Sequence, residues 1–186
     1  MIQKTSMGAE KQKEEQTWLK KYLRKQYQMN LDLSDIEFRP IIDFTFIWGI
    51  LEKIATETFP DVGSEVEIMK CLIKTFNPNP IIIDSTFSYF CDRYVDEDNT
   101  NYLFHDLWPE KREHIIRETV ANILCGKDSS YEARNYACGM ICLRIRNNLF
   151  HGVKNVETLN EQIPLFQHAC NYLTNTIETI TGIRIG

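Results

Sequence analysis

Apolar residues recur at helical spacing along most of the chain. Ile42, Phe46, Ile47, Ile50, Leu51 and Ile54 follow Pro40, which suits a helix start, and Pro60 ends the run. Ser64 and Glu67 carry capping-box spacing, in which each side chain bonds an orphan amide at the other's end. The helix they open turns Ile68, Cys71, Leu72 and Phe76 inward, and Asn77-Pro78-Asn79-Pro80 breaks it. The next helix starts at Pro80 or Ile83 and runs to about Tyr94, with Phe87, Phe90, Cys91 and Tyr94 on one side. Ile81-Ile82-Ile83 also has strand composition but no evident partner strand. Val95 to Leu107 reads as a polar, acidic loop. Its Asp96-Glu97-Asp98 start has the look of a calcium loop. Asn101 stands where the turn glycine belongs and Leu107 where the bidentate glutamate belongs, so that reading fails.

Pro109 is expected to open a helix that ends at Gly126, with Ile116, Val120, Ile123 and Leu124 as its stripe. Ser129 and Glu132 form a second capping-box pair. The helix after them carries Ala137, Ile141, Ile145 and Leu149 every four residues and closes at about His151, before Gly152. Gly139 inside it costs roughly 1 kcal/mol against alanine, which points to close helix contact there. The last helix repeats Leu159, Ile163, Phe166, Cys170, Leu173, Ile177 and Ile180 in alternating fours and threes. That seam serves equally for packing inside a bundle or for a dimer contact. Pro164 should start or bend this helix early.

At the other end, Ala9 to Met29 reads as a charged helix with one apolar patch, Trp18, Leu19, Tyr22 and Leu23. It is suited to dock on the body or on a second protomer. The pattern therefore predicts an all-α bundle of about six helices with an up-and-down core. Residues 1–39 form an N-terminal helix and connection, and residues 40–186 form the bundle.

Composition narrows the class. With 43% hydrophobic and 25% charged residues among 186, the chain is an ordinary globular protein with a sizeable core. A net charge of -5 argues against a general nucleic-acid coat protein, because non-specific affinity comes mainly from neutralised phosphates. The acid is unevenly placed, however. From Ala133 to Lys154 there is no Asp or Glu, while Arg134, Arg144, Arg146 and Lys154 all fall there. Either this stretch is locally positive, or its arginines pair with acids from other helices. The six cysteines show no Cys-x-x-Cys pair and read as free thiols of a reducing compartment. Without a signal-peptide pattern or an apolar run of spanning length, the expected location is cytoplasmic, with no membrane contact. No metal or cofactor is expected. His105 and His114 read as surface residues, and His168 as a satisfied histidine at a helix interface.

The chemistry concentrates in Arg146-Asn147-Asn148-Leu149-Phe150-His151-Gly152. Asn147 and His151 are four apart and share one face of the last helical turn. Arg146 is five before His151, and its long side chain can reach the imidazole as the helix end frays. An arginine grips a phosphate through two parallel hydrogen bonds, and a histidine exchanges protons near neutral pH. Asn147 can orient either. Arginine and histidine without a neighbouring carboxylate suit attack on a phosphodiester without metal, using the RNA 2'-hydroxyl as nucleophile. An ordinary helix C-terminus, with cations on the dipole and a glycine cap, accounts for the same residues. On either reading Arg146 sits at an exposed helix end, where truncation should cost about 1 kcal/mol or less.

This run resembles the signature of the HEPN superfamily, all-helical domains marked by arginine, four to six residues, then histidine, often with asparagine straight after the arginine. Arg146, Asn147 and His151, followed by Gly152, carry the likeness, which loosely spans residues 40 to 182. The resemblance implies a metal-independent endoribonuclease, commonly a toxin or antiviral defence effector. It also implies a homodimer whose two motifs face each other in a composite active site. Arg146 would hold the scissile phosphate, His151 would be general acid or base, and Asn147 would orient them. Arg144, Asn148 and Lys154 are candidate RNA contacts, and an antitoxin or regulatory protein is a candidate partner. The alternatives are a non-catalytic HEPN-like module binding nucleotide, RNA or protein, and a plain helical interaction protein.

Overall fold

A computed structural model of the chain describes residues 39–108, 113–150 and 160–184. These form seven α-helices. They are α1 (Arg39–Thr58), α2 (Glu65–Thr75), α3 (Pro80–Tyr94), α4 (Tyr102–Leu107), α5 (His114–Leu124), α6 (Tyr131–Phe150) and α7 (Ile163–Thr181). The all-α bundle expected from periodicity is what the described residues form. The helix expected over Ala9 to Met29 and the helix start expected at Pro109 lie outside the described residues.

Local chemistry sets most boundaries. The Ser64 hydroxyl accepts from the Glu67 amide at 3.1 Å and starts α2. Asn79 accepts from Ile81 at 2.9 Å, with Pro80 as the first residue of α3. Ile81 to Ile83 are therefore helical, and the strand alternative is excluded. The second cap lies one residue later than its spacing indicated: Ser130, not Ser129, accepts from the Ala133 amide at 3.2 Å. Pro164 stands in the first turn of α7, and Gly182, at φ 69°, closes that helix in the left-handed conformation.

The acidic loop has more structure than its composition indicated. Val95–Asp96 and Asn99–Thr100 form a two-residue antiparallel ladder, β1 and β2, pairing Val95 with Thr100 and Asp96 with Asn99. Glu97 and Asp98 turn between them with positive φ at both, the geometry of a tight hairpin. Asn101 then caps α4 through the Phe104 amide at 3.3 Å. Among the described residues no three potential metal ligands cluster, in this hairpin or elsewhere.

The core centres on α6. Every residue from Ala137 to Ile145 is buried, around the whole circumference rather than along one stripe. A helix apolar on all sides belongs inside, and α2, α3, α5 and α7 surround it. Gly139 is where α2 comes closest: a Cβ there would lie 2.7 Å from Ile73 Cδ1 and 3.2 Å from Met69 Sδ. The heptad seam of α7 is used within the chain's own bundle. Phe166, Leu173 and Ile177 are buried, chiefly against α1 and α3. That resolves the open choice for those residues in favour of bundle packing; Leu159 lies outside the described residues. No helix among the described residues is long and apolar enough to cross a membrane.

Candidate functional site

The end of α6 carries two arginines, Arg144 and Arg146, that point to different neighbourhoods. Arg144 is 4% exposed. Its Nη1 meets Glu113 Oε2 at 2.9 Å, its Nε donates to the Leu107 carbonyl at 3.4 Å, and its guanidinium lies 5.3 Å from the Trp108 ring centroid. Asn148, 5% exposed, donates to the same Leu107 carbonyl at 3.0 Å. The two residues tie the end of α4 and the start of α5 to the central helix. Their burial runs against the expectation that Arg144 and Asn148 contact RNA, because neither side chain is presented at the surface.

Arg146 lies where α6 meets α1 and α2. Its side chain is 19% exposed. Nη2 reaches Glu52 Oε1 on α1 at 3.1 Å, and Nη1 reaches Glu65 Oε1 in the first turn of α2 at 2.9 Å. Nη1 also donates to Asn147 Oδ1 at 3.1 Å, and the guanidinium stands 5.9 Å from the Trp48 ring centroid. Arg146 is thus a bridge between two carboxylates over an aromatic ring, not a side chain on an open helix end. The exposed-end assumption, and the small folding cost drawn from it, are corrected.

Beside this bridge a pocket opens between α1 and α2. Leu51, Ile68, Met69 and Leu72 line it, with Glu52 and Glu65 also in its wall. Trp48 contributes its indole, whose buried Nε1 has no hydrogen-bond partner. His151, Gly152 and Lys154 lie outside the described residues, so Arg146 and Asn147 alone define the geometry of the arginine–histidine grouping.

The acid-free stretch of α6 is not a positive field. Arg134 pairs with Asp84 at 3.0 Å, Arg144 with Glu113, and Arg146 with Glu52 and Glu65. The pairing alternative is the correct one for these three arginines. Sequence reasoning missed the partners themselves: Glu52, Glu65 and Trp48 around Arg146, and Glu113 and Trp108 around Arg144. The one signal for them was the missing acid on α6, which obliges any buried arginine there to find a carboxylate elsewhere.

Cys138 and Cys142 are fully buried, and desolvation pushes both thiols well above their ordinary range. Burial also raises Cys91 to about 11 and Cys170 to about 12, so none of these is a ready nucleophile. His105 and His114 are exposed, paired with Arg117 and Glu118 respectively. His168 is partly buried and stacks on Tyr89, with centroids 4.2 Å apart and planes within 6°. Desolvation lowers its pKa.

Comparison of the chain with protein-family models, with curated proteins and with solved structures returned no match.

Proposed function

We propose that this chain is a metal-independent endoribonuclease of HEPN type. Arg146 binds the scissile phosphate, His151 moves the proton and Asn147 orients the pair. The observation that carries the reading is the run from Arg146 to Gly152 at the end of a helix. It is supported by the all-helical architecture and by the Arg146–Asn147 hydrogen bond, which fixes one guanidinium nitrogen toward the asparagine. The reaction needs a nucleophile that RNA already holds, a proton acceptor, a proton donor and a cation on the phosphate. One motif supplies one arginine and one histidine, so a homodimer that joins two motifs in one cleft fits the demand better than a monomer. A toxin or defence role, with an antitoxin as partner, is the biological setting this chemistry suits.

The second reading is a non-catalytic module of the same type, and one observation favours it. Glu52 and Glu65 already occupy the Arg146 guanidinium, so an RNA phosphate must compete with two carboxylates. The Glu52→Gln/Glu65→Gln variant tests whether Arg146 takes a phosphate, and cleavage of RNA in EDTA separates the two readings. If Arg146 binds phosphate, removing the competing charges preserves or raises RNA affinity, and Arg146→Ala abolishes it. Affinity unchanged in Arg146→Ala leaves the arginine with a structural role alone.

A further inference from the structure

Helix α1 has two apolar faces. Phe44, Trp48, Leu51 and Ala55 are buried and face the bundle. Ile42, Phe46 and Ile50, spaced by four, lie on roughly the opposite side of the same helix at 100° per residue. They are 46%, 70% and 50% exposed. Of the remaining large exposed apolar residues among those described, Ile81, Tyr102 and Ile115 stand on other helices and Ile183 follows the end of α7. A helix apolar on both faces is one covered on both faces. Gly49 falls in the same stripe. A Cβ there would meet nothing within 4 Å, although a mid-helix glycine costs roughly 1 kcal/mol against alanine. At Gly139 the same cost accompanies the close approach of α2. At Gly49 the missing side chain leaves room for a closely approaching neighbour on the outer face.

We infer that the N-terminal segment of the same chain covers this stripe, with Trp18, Leu19, Tyr22 and Leu23 seated on Ile42, Phe46 and Ile50. Three features select it as the occupant. Residues 1–38 join α1 directly at its first residue, so the segment is tethered at high local concentration. The stretch Ala9 to Met29 is 21 residues by position, against 20 for α1, so two helices of about 30 Å would match end to end. Asn30 to Phe38 is long enough to reverse the chain between them. Charge agrees as well. Lys20, Lys21, Arg24 and Lys25 flank the patch, and Asp43 and Glu57, paired on α1 with the exposed Arg39 and Lys53, are part-exposed acids beside the stripe.

Tryptophan fluorescence of the full chain tests this. The protein has three tryptophans, and Trp48 and Trp108 are both buried. Acrylamide quenching therefore reports on Trp18. In the wild type Trp18 is protected; in Phe46→Asp it becomes freely quenchable, while circular dichroism and the mass by light scattering stay as in the wild type. The same substitution in a Trp18→Phe background leaves quenching unchanged, which shows that Trp48 is not the source. Tyr22→Asp, which leaves the body untouched, exposes Trp18 in the same way and serves if Phe46→Asp misfolds. Trp18 equally quenchable in the wild type and both variants overturns the inference. A fall from dimer to monomer mass in Phe46→Asp assigns the stripe to a second copy and overturns it too.

Discussion

Arg144→Ala should be among the most damaging single truncations on α6, and the geometry sets its size. The substitution removes a guanidinium whose side chain is 5% exposed and leaves Glu113, at 20%, without its partner. Losing one member of a buried ion pair costs about 3–5 kcal/mol, because the other charge is stranded. Two facts push the value toward the lower end. Glu113 retains some water contact, and the Leu107 carbonyl keeps the Asn148 amide at 3.0 Å. The contact with the Trp108 ring adds about 1 kcal/mol. The expected loss is therefore about 3–4 kcal/mol, or a fall in Tm on the order of 10 °C for a chain of this size. Urea unfolding followed by far-ultraviolet circular dichroism measures it. Glu113→Gln in the Arg144→Ala background should recover part of the loss, since it removes the stranded charge. If Arg144→Ala melts within about 2 °C of wild type, or Glu113→Gln recovers nothing, the buried-pair account fails.

The remaining predictions are smaller. Arg146→Ala should cost about 1–2 kcal/mol, because Glu52 and Glu65 are nearly half exposed and their pairs are screened; a cost matching that of Arg144→Ala in the same urea series would contradict this. Gly139→Leu should destabilise by about 2 kcal/mol or more through collision with Ile73 and Met69, whereas Gly139→Ala should be milder because helix propensity offsets part of the contact; paired thermal melts check the order. The folded-state pKa of His168 lies below its unfolded value, so the unfolded chain binds more protons between the two. Stability should fall as pH drops below about 6.5, and His168→Phe, which keeps the stack on Tyr89, should flatten that slope. Iodoacetamide at neutral pH should leave Cys138 and Cys142 unmodified in the native protein and label them in urea, as peptide mass spectrometry would show.

Helices were legible because their signals are local. Pro80, the Asn79 cap and the four-residue repeats fix α3 and α6 within a few positions of the chain. Where two local signals competed, spacing alone chose wrongly, as with Ser129 against Ser130. The hairpin at Glu97 and Asp98 was missed because residues other than glycine seldom take left-handed backbone, so composition indicated loop. At the site, the Arg146–Asn147 neighbourhood was legible from adjacent positions. Its carboxylates were not: Glu52 is 94 residues away, and no periodicity connects the two. Whether an arginine in an acid-free stretch reaches solvent or a buried glutamate depends on helix packing. For that reason Arg144 and Asn148 resembled RNA contacts in the sequence and are core clamps in the fold.

The most direct test of the central claim is the fate of RNA with the purified full chain in EDTA, with fragment ends mapped chemically. The account predicts cleavage without metal, leaving a 2',3'-cyclic phosphate or its hydrolysis product. Arg146→Ala and His151→Ala should both abolish it while retaining wild-type helicity. RNA left intact by the wild type, or cleavage that persists in His151→Ala, would contradict it.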